Sequence, residues 1–399
     1  LVEPFANKVL EAASSGRIDY KPRHKVTELI TENGAIVGIQ GHVLQPSDVQ
    51  RGKESSREVI GGFEYRADAV VIASGGIGAN LDLVKKNWPS RLGVPPERMV
   101  SGVPAYVDGS MLEIAEGVGG RLVNRDRMWH YTEGLKNWNP IWKNHGIRIL
   151  PGPSSMWLDA LGNRFAAPNF PGFDTLSTLE AIQKTGYDYS WFILTEKIIE
   201  KEFALSGSEQ NPDLTNKSIQ DVIKRALPGP PKPVQAFKEY GEDFVIAHSL
   251  KELVTGMNQL AGDELLDFIH IKEQVLARDR EIENTFTKDA QVTAIRGARN
   301  YIGDKLIRVA KPHKILDPQA GPLIAVRLNI LTRKTLGGLQ TDLTGAVLND
   351  AGVRIPGLFA AGEVCGFGGG GVHGYRSLEG TFVGGCLFTG LQVGKYLSK

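Results

Sequence analysis

Between Gly362 and Gly380 the chain reads GEVCGFGGGGVHGYRSLEG, and five of the six residues from Gly366 to Gly371 are glycine. Glycine lacks a Cβ and loses more freedom on folding than any other residue, so such a run belongs where the backbone turns sharply or lies close against something. The run also satisfies the pattern G-x-G-x-x-G. Three readings are open: a phosphate-cradling loop, a flexible linker, or a bare backbone surface for a flat ligand.

The flanks separate them. A linker joins two modules, whereas this run sits between an apolar strand pattern, GLFAAG, and an apolar run from about Thr381 to Leu397 with helical spacing. A dinucleotide loop needs a strand, a tight turn, a helix, a further strand and an acidic residue about twenty positions on; here the chain ends soon after the helix. The third reading fits better. The strand delivers Gly362 and Glu363 at its C-terminal end, the glycines offer backbone to a flat ring, and the following helix N-terminus offers unpaired N–H groups to partial negative charge.

At 399 residues the chain exceeds what one hydrophobic core usually sustains. A net charge of +1 gives no electrostatic case for nucleic acid or an anionic membrane. Cys365 and Cys386 are the two cysteines, so neither a disulfide scaffold nor a cysteine–histidine metal site is expected. No apolar run is long enough to span a bilayer and no secretory leader pattern is visible, so the expected location is the cytoplasm.

Character changes twice along the chain. After a helical opening, HKVTELI, GAIVGIQGHVL and ADAVVIASGG read as strands, with a polar loop or hairpin tip at QPSDVQRGKESSRE. Residues 155–310 hold four runs of helical spacing and the rigid connector LPGPPKPV. Strand patterns then return in GPLIAVRLNIL, TLGGLQTD, GAVLND and GLFAAGE. The expectation is an α/β (α+β) protein in two parts: a discontinuous domain from 1–154 and 311–399, interrupted by a mainly helical unit at 155–310.

Three segments in order, VVIASGGIGAN, TLGGLQTD and GLFAAGEV…GGVHG, resemble the flavoprotein superfamily of fumarate reductase, succinate dehydrogenase and 3-ketosteroid dehydrogenase. The run GGGGVHGYR is similar to that of bacterial FAD-binding dehydrogenases. The resemblance covers nearly the whole chain and implies a Rossmann-like FAD-binding domain carrying an inserted capping domain. It also implies that the family's first βαβ unit, with its own G-x-G-x-x-G, precedes Leu1, so this chain alone is expected to hold FAD weakly.

Carried onto this sequence, the resemblance places the backbone of Val26 at the adenine. It places Ala73, Ser74, Gly75 and Gly76 against the pyrophosphate and ribose, and Gly362 and Glu363 at the ribityl chain. His373, Gly374, Phe382 and Val383 fall beside the flavin ring. A plain β-turn at 73–76 and a solvated acid at 363 are the bland alternatives. The substrate side departs from fumarate reductases. Their proton-donating arginine falls on Gly172 in GNRFAAPNFPG, their paired histidines on Arg333 and Lys334, and their substrate arginine on Ser377, one position after Arg376. Fumarate reduction is therefore not expected.

What remains is a cationic set, Arg333, Lys334 and Arg376, with His130, Tyr131 and Tyr375 as further catalytic candidates. Cations beside a flavin suit a carbonyl or anionic small-molecule substrate, stabilising charge while an adjacent C–H loses its proton. Solvated strand charges at 333–334 and a structural histidine at 130 are the competing readings. The expected function is FAD-dependent oxidation or reduction of a CH–CH bond, its electron partner unidentified. The alternative is a flavin-free remnant or assembly component.

Overall fold

The computed structural model describes residues 2–50, 53–207, 209–220, 229–366 and 382–399. Helix α1 (Glu3–Ser14) opens with a proline in its first turn and has no buried residue. Strands β1 (His24–Glu32), β2 (Ala35–Leu44) and β3 (Val59–Arg66) form an antiparallel sheet in that order. The β1–β2 link is Asn33–Gly34, both at positive φ, the two-residue turn whose twist matches the strands it joins. The polar stretch between β2 and β3 is the loop expected of it.

A short strand β4 (Val70–Ile72) leads through a glycine turn to α2 (Leu81–Lys86), capped by the Asn80 side chain. Then come β5 (Met99–Ser101), α3 (Ser110–Gly117), β6 (Leu122–Val123), β7 (Met128–Lys136), β8 (Gly146–Leu150) and β9 (Met156–Asp159). Helix α4 (Thr175–Lys184) starts at an Asp174 cap, and β10 (Tyr189–Thr195) follows with all seven residues buried. The chain continues through α5 (Glu196–Glu202), β11 (Ala204–Leu205), the single turn α6 (Pro212–Thr215) and α7 (Lys232–Tyr240). Strand β12 (Phe244–Ala247), α8 (Leu250–Ala261), α9 (Phe268–Glu283) and α10 (Ala290–Ala298) complete this stretch. Helix α8 begins with a full capping box between Ser249 and Glu252.

Strand β13 (Leu323–Thr335) organises the molecule. Its first half lies between β10 and β12, and its second half between β7 and, in parallel, β5. An eight-stranded sheet results, with path β11-β8-β7-β13-β10-β9 and with β12 and β5 joined to β13. Beyond it, β14 (Gly338–Leu339) pairs with β6, and β16 (Arg354–Ala360) lies between antiparallel β15 (Ala346–Leu348) and parallel β4. Helix α11 (Phe382–Leu397) closes the chain.

The expected bounds at 155 and 310 do not coincide with the sheet. Helices dominate that stretch, but its strands β9, β10 and β12 share one sheet with β7, β8 and β13 from outside it. The apolar run of β13 is buried on both faces and lacks the alternation that marks a strand from sequence. Two main cores form. One is built on β10 and the first half of β13 under α5, α8 and α9; the other gathers β1, β2, β4, α3 and β16 around Ile72 and Leu358. The mixed α/β architecture contains, among the described residues, no helix long and apolar enough to cross a membrane.

Candidate functional site

Three distant segments meet at Thr335. Its hydroxyl accepts a hydrogen bond from the Ile77 N–H at 2.9 Å, and its own N–H donates to Glu363 Oε1 at 2.8 Å. Gly76 fits between them: a Cβ there would stand 2.0 Å from Thr335 Oγ1 and 2.9 Å from Glu363 Oε1. Only glycine permits that approach. Gly75 takes φ +84°, and Ala73 and Ser74 before it are exposed, so the turn presents open backbone. The turn at Ala73–Gly76 and Glu363 thus lie side by side, joined through a threonine that had not been singled out.

Glu363 sits on a single turn, Gly362–Cys365, that follows β16. Gly362 takes φ +78°, and its N–H donates to Thr389 Oγ1 at 2.9 Å, which ties the turn to α11. Burial pushes the Glu363 carboxyl up to about 7; the Thr335 N–H, Lys334, the Thr335 side chain and Arg333 pull the other way. The two cations therefore lie in the electrostatic field of this carboxylate.

A β-bulge positions them. Thr332 pairs with His130 and Lys334 with Trp129, so Arg333 is the extra residue, and the local twist re-aims both side chains. The Arg333 stem passes over Gly102, where a Cβ would be 3.4 Å from its Cγ. Lys334 Nζ lies 5.2 Å from the Trp129 ring centre and 4.9 Å from that of Phe382, the first residue of α11. Cation–π attraction holds the ammonium where β13 meets the helix N-terminus. Trp129 and Phe382 themselves are 5.9 Å apart, and Val383 beside them is exposed.

Tyr131 packs with Trp129, Val100 and Leu331, and the Arg148 guanidinium lies 3.8 Å over its ring. Glu133, two residues on, is buried; desolvation raises its pKa against the opposing field of Arg148. Trp129, Arg148 and Glu133 had not been singled out from sequence, because their signal is strand alternation in MWHYTEGLK combined with a partner strand far along the chain.

His130 is not brought to this group. It points from the opposite face of β7, 7% exposed, with its ring 4.7 Å from that of Trp88. Its Nδ1 has no hydrogen-bond partner among the described residues. Burial, with the Arg91 charge adding, lowers its pKa to about 3, so it is neutral at ordinary pH. Val26 also stands apart, on β1 opposite Gly41. Gly172 takes φ +78°, a backbone that resists any side chain there. His373, Gly374, Tyr375, Arg376 and Ser377 lie outside the described residues.

The sequence profile of the FAD binding domain family matches residues 1–383. The chain belongs to this family. Among curated proteins it is 59% identical over 383 residues to a KsdD-like steroid dehydrogenase of Mycolicibacterium smegmatis, an alignment covering 96% of this chain and 70% of that protein. Among solved structures it is similar to 3-ketosteroid delta1-dehydrogenase from Sterolibacterium denitrificans in complex with 1,4-androstadiene-3,17-dione, with a TM-score of 0.65 and 17% identity over 98% of this chain and 62% of that one. A flavocytochrome c3 fumarate reductase aligns with a TM-score of 0.57 and 18% identity, covering 97% of this chain and 54% of that chain. The chain thus spans between about half and two thirds of these two structures.

The cofactor of this FAD-binding-domain protein is FAD, and the residues present fit it. The Gly76 cradle leaves backbone uncovered at Ala73 and Ser74. Glu363 is held by the N–H and the side chain of Thr335 and keeps acceptor capacity for paired hydroxyls. The Phe382 ring of helix α11 lies 4.9 Å from Lys334 Nζ, and the helix is tied to the Glu363 turn through Thr389.

Proposed function

We propose that this protein dehydrogenates a CH–CH bond next to the carbonyl of a steroid-class substrate. The observation that carries the reading is the pairing of a carboxylate-marked cradle with two cations, Arg333 and Lys334, at one bulge beside the N-terminus of α11. Its kinship with the steroid dehydrogenase supports the substrate class.

In this reading the FAD half is a discontinuous Rossmann-like domain from 1–154 and 311–399. Residues 155–310 form the cap, its sheet extended by β7, β8 and β13. The backbone of Ala73–Gly76 would hold the pyrophosphate and ribose of FAD, Glu363 would accept from the ribityl hydroxyls, and the N–H groups of Phe382 and Val383 would serve the flavin ring. FAD, when bound, supplies the hydride acceptor. Lys334 stabilises negative charge growing on the substrate carbonyl oxygen as the neighbouring carbon loses its proton. Tyr131, its ring held under Arg148, lies on the same strand face and handles that proton, with Tyr375 and Arg376 as further candidates. Gly172 has no side chain to deliver a proton, which disfavours fumarate reduction.

The test is turnover of a 3-ketosteroid by the FAD-loaded protein with an artificial electron acceptor, read as loss of H2 from the steroid by mass spectrometry. Lys334→Met should lower kcat by about tenfold or more while the flavin spectrum persists. Turnover confined to dicarboxylates, or unchanged in Lys334→Met, would overturn the assignment.

A further inference from the structure

A second charged surface lies on the helical side, and none of its residues takes part in the site above. A cleft of about 290 Å³ is lined by Lys197, Lys201, Arg299, Lys305, Lys311 and His313, with Val309 and Ala310, and no carboxylate among the described residues lines it. Lys197 and Lys201 stand one turn apart on α5 and share a face. Glu200, between the two lysines on α5, lies in the field of Lys197, and the other two acids of that helix are engaged elsewhere. Glu196 pairs with Lys238, and Glu202 turns inward to the Ser154 hydroxyl and the Ala310 N–H. Arg299 is anchored on the Val309 carbonyl and His313 on Thr195. Burial, with the charges of Arg278 and Lys197 adding, lowers the pKa of His313, so the positive charge resides on the lysines and Arg299.

Immediately beside these cations, Tyr301, Ile302, Leu306 and Ile307 are 68%, 69%, 63% and 64% exposed. Four large apolar side chains within seven residues form an uncovered patch, with Asp304 and Lys305 between them and Arg308 following. A soluble anion would use the cleft and leave the apolar residues without purpose. An apolar protein partner would not call for a cleft lined by four lysines and an arginine. An anionic bilayer surface uses both, taking apolar side chains into the headgroup–acyl boundary while lysines meet lipid phosphates.

We propose that this surface docks on bilayers containing anionic phospholipid, with headgroup phosphates in the Lys197–Lys311 cleft and Tyr301, Ile302, Leu306 and Ile307 inserted at the interface. Attachment is peripheral, and it is independent of the assignment of the reaction.

Flotation of the FAD-loaded protein with vesicles of phosphatidylcholine alone, or of phosphatidylcholine with phosphatidylglycerol, tests this. Co-flotation is expected only with phosphatidylglycerol, and it should weaken as salt screens the cleft. Lys197→Gln/Lys201→Gln/Lys305→Gln/Lys311→Gln should lower the partition coefficient by tenfold or more, since each interfacial lysine is worth about fivefold. Ile302→Ser/Leu306→Ser/Ile307→Ser should also lower it while retaining the circular dichroism of the parent. If the lysine variant does not fold, the salt dependence and the lipid dependence of the parent decide. No co-flotation, equal binding to both vesicle types, or binding unchanged in either variant overturns the proposal. Two further results would also overturn it: inorganic phosphate raising Tm without any vesicle binding, which marks a soluble-anion site, or a dimer that the lysine variant dissolves, which marks a second copy as occupant.

Discussion

Thr335 joins the turn after β4 to the carboxylate after β16 with one hydroxyl and one N–H. Two substitutions test that junction. Gly76→Ala would drive a methyl into Thr335 Oγ1, and overpacking of this kind costs about 1–3 kcal/mol; urea denaturation should show a lower midpoint with an unchanged slope. Glu363 bears on pH. Its carboxyl ionises at about 7 in the fold against an ordinary 4.5, so between those values the folded protein holds a proton that the unfolded chain has released. Stability from this group is complete below that window and declines as pH rises through it. Apo wild-type protein should therefore lose more stability between about pH 5 and about pH 8 than Glu363→Gln, which cannot titrate. Parallel decline of the two in chemical denaturation would show that the carboxyl is not raised.

At the scale of elements, β10 and β13 carry the mechanical load. All seven residues of β10 are buried, and Phe192 packs edge-on against Trp157 and near Phe203 in the larger core. Phe192→Ala should destabilise by about 3–5 kcal/mol, measured by urea unfolding, because the cavity can collapse little between two sheet neighbours and α5. The second half of β13 is the functional half. Its bulge at Arg333 moves charge to the α11 terminus, whereas β7 without an equivalent extra residue there leaves His130 in the core.

Across the whole molecule, FAD binding and folding are linked, since the cradle draws on residues from both ends of the chain. Free FAD at about a hundredfold over its Kd should add about 2.7 kcal/mol to stability. Glu363→Ala removes a charge-assisted hydrogen bond worth about 1.5–3 kcal/mol, so the FAD Kd should rise by about tenfold or more, read by flavin fluorescence and by a smaller FAD-induced rise in Tm. An unchanged Kd would remove Glu363 from the ribityl site. The smaller three-stranded sheet ends at β4, whose Val71 is 42% exposed although Ile72 beside it is in the core, and α1 has no buried residue.

Sequence alone determined the local elements and the glycine positions. The Asn33–Gly34 hairpin, the Ser249–Glu252 capping box and the strand–glycine–helix order around Glu363 each depend on residues within a few positions of one another. The family motifs made FAD legible for the same reason. Tertiary structure alone decided the rest. Ile77 and Thr335 are 258 residues apart, and nothing near either one announces their bond. That β10 and β12 flank the same half of β13, and that a bulge puts Lys334 at the α11 terminus and His130 on the far face, follow from inter-strand register. Register is set by the summed burial of whole strands. A single shifted residue reverses which face every later side chain occupies, so no short stretch of sequence contains it.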